Sequence, residues 1–206
     1  MSVTAVVLAA GASERMGQPK LLLPYLDSTV LNTTVAAVEA SAVARIIVVV
    51  GSNAELIEPS VEAQRSTVLR NPDPGRGNMS SLMTAVSVDT DAEAFVVVPG
   101  DLPTVRTDAI DALVDLWTKT HPWAGVTEYI DHVAHPFLVS RAAVSVAHES
   151  KGEKVLGRLL LDAADDRVIR LASPHKAPLD VNTPADYESL LHETRPPFMG
   201  DRRRER

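Results

Sequence analysis

The chain has no cysteine among its 206 residues. That excludes disulfides and thiolate metal sites, and it fits a reducing compartment. No apolar run approaches the roughly 18 residues of a membrane span. No charged segment precedes a hydrophobic one at the start of the sequence, so nothing there reads as a secretory leader. A cytoplasmic protein that touches no membrane is therefore expected. Positive charge is scarce too. The net charge is -7, and the stretch from Arg195 to Arg206 holds five arginines against Asp201 and Glu205, a local +3. The remaining body carries -10, which makes it a poor general binder of nucleic acid. Two common phosphate loops are also missing. A Walker A loop needs four residues between its glycines and then Lys with a hydroxyl residue. Here five residues separate Gly11 from Gly17, Lys20 comes two residues late, and Leu21 follows it. The dinucleotide fingerprint fails at Ser13, which stands where its second glycine belongs.

What is present is concentrated in the stretch from Val3 to Leu23, VTAVVLAAGASERMGQPKLLL. The run Val3 to Leu8 has the length and β-branched content of a strand buried on both faces. It breaks into Ala9, Ala10, Gly11, Ala12 and Ser13, whose small side chains leave the backbone approachable. Successive amides in such a turn can converge on an anion. Arg15 and Lys20 add two positive charges, with Gly17 and Pro19 shaping the loop between them. A strand that delivers bare amides and two cations to one place suits a polyphosphate.

Further along, Val30, Leu31, Val35, Val38 and Ala42 fall at helical spacing behind possible caps at Ser28 and Thr29. Ile46 to Val50 reads as a second buried strand ending at Gly51-Ser52-Asn53, with a helix after it that breaks near Pro59. Thr67 to Leu69 reads as a third strand and Thr107 to Lys119 as a helix with Ile110, Leu113, Val114 and Trp117 inward. Trp123 to Tyr129 and Val133 to Ser140 pair as a hairpin about Asp131-His132. Alternating strands and helices predict βαβ units and a mostly parallel sheet, and ligands then bind beyond the carboxyl ends of the strands. One domain over residues 1–194, followed by a disordered basic tail, is the expected organisation.

Three more constellations lie at strand exits. Asn71 to Leu82, NPDPGRGNMSSL, is too long for a simple connection, and Ser80 or Ser81 would cap the helix after it. Phe95 to Pro103 is a hydrophobic strand that empties into Gly100-Asp101. That carboxylate suits Mg²⁺, which takes oxygen ligands from one or two carboxylates and from nucleotide phosphates, while Gly100 would let phosphates approach. Leu179 to Tyr187 contains Asp180, Asn182 and Asp186, with Thr183 and Pro184 suited to start a helix.

The string from Leu8 to Leu22, L-A-A-G-x-S-x-R-M-G-x-x-K-L-L, resembles the signature of the MobA/MocA-like nucleotidyltransferases, above all the molybdenum-cofactor cytidylyltransferases. The resemblance implies a Rossmann-like three-layer α/β/α fold. It implies transfer of a nucleoside monophosphate from an NTP to an acceptor phosphate, with pyrophosphate leaving. Lys20, Arg15 and Asp101 would be the catalytic groups. Leu8, Ala9, Ala10, Gly11, Ala12, Ser13 and Gly100 would surround the triphosphate. Asn71, Gly75, Ser80 and Ser81 would lie against the base, in a segment that departs from the family at Asn78, between Gly77 and Met79. Gly100-Asp101-Leu102-Pro103 matches the family's G-D-x-P, so Asp101 takes a metal role. The later D-x-D-T-P-E-D string supplies a second ligand, for which Asp180 and Asn182 are alternatives. Asn182 replaces the family's acid and brings no charge, while Asp186 reads as a helix-start charge. His135, in His135-Pro136-Phe137-Leu138, and Lys154 or Arg158, in an altered G-D-x-G-A-R-x-L-L, fall on the acceptor side. Relatives using GTP tend to carry glycine where Ala10 stands, which favours CTP. The implied partners are CTP, a molybdopterin-type acceptor, and a molybdoenzyme or its chaperone. Two other readings stay open: an NAD(P)H-binding oxidoreductase relative, and a non-catalytic nucleotide-binding chaperone for cofactor insertion.

Overall fold

The computed structural model describes residues 2–150, 155–161 and 166–194. The first apolar run is β1 (Ser2–Ala9), and two 3-10 turns, Glu14–Met16 and Lys20–Leu22, lead from it to a small hairpin of β2 (Pro24–Tyr25) and β3 (Ser28–Thr29). Helix α1 (Val30–Glu39) starts there because the Thr29 hydroxyl accepts from the Asn32 amide. Next come β4 (Arg45–Val50) and α2 (Ala54–Ile57), which gives way to a 3-10 turn, Glu58–Ser60, at the expected break by Pro59. β5 (Ser66–Arg70), a 3-10 turn at Pro74–Arg76, α3 (Asn78–Val88), β6 (Ala92–Pro99) and α4 (Thr107–Thr120) follow. The rest is the hairpin β7 (Ala124–Glu128) and β8 (Val133–Ser140), then α5 (Arg141–Glu149), α6 (Val155–Leu161), β9 (Val168–Ala172) and α7 (Pro184–Thr194).

Among the described residues, seven strands form one sheet in the order β5-β4-β1-β6-β8-β7-β9. It is parallel from β5 to β6 and again between β7 and β9; only β8 runs against both its neighbours. The mostly parallel α/β sheet read from the sequence is what forms. The alternation of side chains along a strand explains the layers. Ala5 and Val7 of β1 pack with Leu31 and Val35 of α1 and Ile110 and Leu113 of α4. Val6 faces the other way, with Leu82 and Ala85 of α3, Val144 of α5 and Leu160 of α6. Because β1, β4, β5, β6 and β7 run the same way, their carboxyl ends share one edge of the sheet.

The hairpin strand β8 carries one irregularity with a cause in its sequence. Pro136 has no N–H to give the ladder. Pairing with β7 jumps from Val126–Phe137 to Thr127–Ala134, which leaves His135 and Pro136 bulged out of register. Among the described residues, no helix is long and apolar enough to cross a membrane.

Candidate functional site

β1 lies between β4 and β6, and the chain leaves it through Ala10–Ser13. Ser13 sits in the left-handed region at φ 60°, uncommon for a residue with a Cβ. Its carbonyl accepts from the Met16 and Gly17 amides at 3.0 and 3.2 Å, and its Oγ accepts from the Lys20 amide at 3.2 Å. The loop therefore folds back and brings Arg15 and Lys20 to the strand exit. Ala9 and Ala10 are buried, while Gly11 and Ala12 are exposed. Among the described residues nothing accepts from the Gly11 or Ala12 amides. A Cβ on Gly11 would meet nothing within 4 Å, so the turn is open to a ligand.

The neighbouring exit brings Asp101. The Gly100 amide donates to the Leu8 carbonyl at 2.9 Å, and the Val181 amide donates to the Asp101 carbonyl at 3.1 Å. Those bonds fasten the β6 exit and the segment before α7 to the first turn. Lys20 Nζ pairs with Asp101 Oδ2 and donates to Asn182 Oδ1 at 3.0 Å. Arg15 Nη2 donates to that same Asn182 oxygen at 3.0 Å. The Lys20 and Asp101 side chains are only 14% and 13% exposed, so water screens their attraction weakly. Asp180 keeps access to solvent on the cleft wall, although protein atoms crowd its carboxyl. That crowding, and then the charge of Asp101, push the Asp180 carboxyl above its ordinary range against the pull of Lys20.

A small apolar cluster explains why the late segment returns here. Met16, Leu23, Tyr25 and Val30 pack with Val181 and Leu190, and the Tyr187 hydroxyl donates to the Pro24 carbonyl at 2.6 Å. Helix α7 opens at Pro184, where its missing N–H costs nothing. Asp186 accepts from the Asn182 and Thr183 amides at 3.0 and 2.7 Å, and Thr183 Oγ1 accepts from the Asp186 amide at 3.3 Å. Asp186 is spent on that reciprocal cap.

Beside the cluster opens a cleft of about 860 Å³. Leu8, Leu102 and Asp180 line it together with Gly75–Met79, His135 and Phe137. Asn71, Ser80 and Ser81 turn out to brace this cleft's loop. Asn71 Nδ2 donates to Ser80 Oγ and Ser81 Oγ at 2.8 and 3.0 Å, and Asn71 Oδ1 accepts from the Asp73 amide at 2.9 Å. Asn71 and Ser81 are both buried. Their polar atoms are taken, so a base would meet the exposed loop they hold. The expected cap at Ser80 or Ser81 is corrected for the same reason. Helix α3 starts at Asn78 behind Gly77 with no side-chain cap, the Ser80 hydroxyl lying 2.9 Å from the Gly77 carbonyl and 3.0 Å from that of Asp73.

Gly100 and Arg158 lie in contrasting surroundings. A Cβ on Gly100 would stand 3.0 Å from Leu31 Cδ1 and 3.1 Å from the Leu8 carbonyl. The space on the Cβ side of Gly100 is filled by core packing, so its missing side chain serves that packing. Arg158 is exposed, while Leu156, Gly157 and Leu161 of the same helix face the cleft. Lys154 and the basic tail lie outside the described residues. Sequence reasoning also missed Gly51 and Ser52. The Ser52 amide and hydroxyl both donate to the Ala10 carbonyl, at 3.2 and 3.1 Å. A Cβ on Gly51 would sit 2.6 Å from Ala10 Cβ and 2.7 Å from Pro74 Cβ. The first turn and the Pro74 loop can meet only because Gly51 lacks one. The available signal was a Gly-Ser pair directly after a buried strand.

No three His, Cys, Asp or Glu side chains gather as a ready cation cage among the described residues. The site offers the Asp101 carboxylate, the Asn182 amide oxygen beside it, and Asp180. Lys20 Nζ, a cation, already sits between the first two. An all-oxygen set with at most two carboxylates fits a hard divalent ion that completes its shell with phosphates and water.

Residues 5–193 match the family model described as the MobA-like NTP transferase domain. The chain is 28% identical over 187 residues to the molybdenum cofactor cytidylyltransferase of Escherichia coli, covering 90% of this chain and 94% of that protein. It is 29% identical over 198 residues to a Mycobacterium avium protein named "Probable molybdenum cofactor guanylyltransferase", covering 92% and 95%. A crystal structure of the Rv0371c homolog from a Mycobacterium species superposes with a TM-score of 0.83 at 36% identity, covering 93% of this chain and 96% of that one. The Mycobacterium tuberculosis Rv0371c protein in complex with manganese gives 0.79 at 29% identity, covering 93% and 99%.

Proposed function

The chain belongs to the MobA-like NTP transferase family of nucleotidyltransferases, and from that premise we propose that it transfers CMP from CTP to the phosphate of a molybdopterin-type acceptor. The observation that best supports this is the convergence on one point of Lys20, Asp101 and Asn182, which are separated by 81 and 162 residues of chain from Lys20. An acceptor phosphate oxygen attacks the α-phosphorus of the nucleotide. The new P–O bond forms as the bond to the bridging oxygen breaks, and pyrophosphate leaves. Such a reaction rests on positioning and charge neutralisation. Lys20 and Arg15 bind triphosphate oxygens, and the open amides of Gly11 and Ala12 add donors at the same turn. Mg²⁺, held by Asp101 with Asn182 or Asp180, would neutralise phosphate charge when bound.

The preference for CTP rests on Ala10, because the cytidylyl and guanylyl relatives are about equally similar to this chain. Ala10 is 7% exposed and packs on Gly51. Its methyl group would therefore act by spacing the first turn from the Pro74 loop, not by touching the base. The deciding experiment supplies each NTP in turn with Mg²⁺ and molybdopterin and measures pyrophosphate. CTP is expected to exceed GTP by about tenfold, or ~1.4 kcal/mol of discrimination. Faster release from GTP would reverse the base assignment, and release from none of the four would remove the proposal. A thermal shift with NADPH, but none with CTP and Mg²⁺, would favour the redox reading instead.

A further inference from the structure

Lys20 makes the contacts of a counter-cation as well as those of a phosphate grip. Its Nζ pairs with the Asp101 carboxylate and donates to Asn182 Oδ1 at 3.0 Å. Both partners are oxygen donors suited to a hard divalent ion. Among the described residues the third N–H of Nζ has no acceptor, which leaves a handle for an incoming oxygen.

The backbone beneath the ammonium is fixed. The Lys20 amide donates to Ser13 Oγ at 3.2 Å, and the Leu22 and Leu23 amides close a 3-10 turn on the Pro19 and Lys20 carbonyls at 3.1 and 3.2 Å. Above that turn stands a flexible four-carbon stem with three rotatable donors. Exchanging one set of oxygens for another therefore needs only a rotation of the stem. The same loop carries the open amides of Gly11 and Ala12, so a triphosphate held there lies on the lysine's own loop.

The charges around Nζ are already matched. The Asp180 carboxyl feels the charges of both Asp101 and Lys20. Against those two carboxylates stand Lys20 and Arg15, which both donate to the single Asn182 oxygen. Asp186 is turned to the amides that open α7. A dication arriving alone would meet an ammonium on the oxygens it needs. Lys20 and Asp101 are mostly buried, so water does little to soften that repulsion. A dication arriving with a triphosphate brings the anion that can take the ammonium over.

We propose that Lys20 is a switch coupling metal binding to nucleotide binding: its ammonium serves as the counter-cation of Asp101 and Asn182 until triphosphate oxygens draw it off and release that pair to a divalent ion. This rests on the nucleotidyl-transfer reading above and deepens it, because one side chain serves the metal ligands first and the phosphates second. It also reverses the sign expected of a plain phosphate grip. Losing such a grip does nothing for metal affinity in the absence of nucleotide, whereas losing a counter-cation raises it.

The test titrates Mn²⁺ into the full-length protein without nucleotide and follows the free ion by electron paramagnetic resonance. Lys20→Met is expected to bind Mn²⁺ at least about tenfold more tightly than wild type. Adding Asp101→Asn to that variant should abolish the gain, which locates the ion. Lys20→Arg keeps the charge, and Arg15→Gln removes an exposed one that leans on Asn182 alone. Each should stay within about threefold of wild type. Unchanged or weaker binding by Lys20→Met would overturn the proposal. So would a gain that survives Asp101→Asn, or one that Arg15→Gln matches. If Lys20→Met does not fold, wild-type protein carrying ¹⁵N-labelled lysine still decides. Its Lys20 Nζ signal should hold its position with Mg²⁺ alone, at the level that saturates the protein when nucleotide is present. It should shift once a non-hydrolysable CTP analogue is added, and a full shift with Mg²⁺ alone would refute the switch. Failure of wild-type protein to bind CTP with Mg²⁺ in calorimetry would strike the nucleotidyl-transfer reading itself, whatever the Mn²⁺ titrations give.

Discussion

The two edges of the central sheet are made from the same strands and treat polar groups in opposite ways. At the amino edge Asp89 is 4% exposed, and its carboxylate accepts from the Thr4 hydroxyl and from Arg45. Arg141 donates to the Asp89 and Ala92 carbonyls and lies over the Phe95 ring. Burial alone would push the Asp89 carboxyl up, but Thr4 and Arg45 more than offset it and leave it below its ordinary range. At the carboxyl edge one lysine is divided between Asp101 and Asn182, Arg15 leans on the same amide oxygen, and Asp180 is pushed upward. Matched charges at the first edge stabilise the fold. Cations that share one amide oxygen, open backbone amides at Gly11 and Ala12, and a crowded carboxylate at the second are what a charged ligand would complete.

Substitutions at the two edges should therefore dissociate activity from stability. Lys20→Ala and Asp101→Ala are each expected to lower pyrophosphate release by at least about 10³-fold, the scale of a lost electrostatic contact to a transition state. Melting should stay within roughly 4 °C of wild type. Asp89→Ala should do the reverse. Removing Asp89 leaves the buried Thr4 hydroxyl without its acceptor and strips the half-exposed Arg45 of its partner, a loss of about 1–3 kcal/mol, readable by urea unfolding, while kcat/KM of the folded fraction stays unchanged. An Asp89→Ala protein of normal stability and poor kcat/KM would erase the contrast between the edges, as would a fully active Lys20→Ala.

How legible each edge was in the sequence follows from where its information lies. The strands were readable because each apolar run is contiguous, as in Ile46 to Val50 and Phe95 to Val98. The Thr29 cap, the break at Pro59 and the start of α7 at Pro184 were readable because backbone chemistry decides them within a few residues. The first turn carries Arg15 and Lys20 within a dozen residues of β1, and Asp101 ends an obvious strand. What could not be read depends on segments meeting. A hydroxyl that braces a loop and one that reads a base are the same letter, and only the Asn71 bonds show that Ser80 and Ser81 brace. Gly100 and Gly51 likewise look alike after a strand. One makes room for Leu31 and the other for Ala10 and Pro74, neighbours that the sequence does not announce.

That distinction yields the next effect in size. Ser52 touches no proposed ligand group, yet it holds the Ala10 carbonyl with two donors. Ser52→Ala removes the hydroxyl bond and leaves the amide, a loss on the order of 1 kcal/mol. The expected result is a rise of about fivefold in the KM for CTP with kcat nearly unchanged, and Ser52→Thr should restore it. Loss of kcat with unchanged KM would mean that the first turn does not position the nucleotide.

The smallest effect is the most direct probe of the mismatch at the carboxyl edge, and it depends on sign. Asp89 has a lowered folded pKa. The stability it contributes is present above the ordinary carboxylate value of about 4 and is lost as pH falls through its folded value. Asp180 has a raised folded pKa, so its ionised form is disfavoured in the folded protein at neutral pH. Asp180→Asn should then raise the melting temperature slightly at pH 7, by no more than about 2 °C because the group is exposed. The gain should vanish once the pH falls below about 4 and both states are protonated. Mg²⁺ with CTP should reverse the ranking, stabilising wild type more than Asp180→Asn if Asp180 is the second oxygen ligand. If the two proteins respond equally to Mg²⁺ with CTP, the second ligand is Asn182, and the crowding of Asp180 is a cost the edge carries without using that carboxylate for the metal.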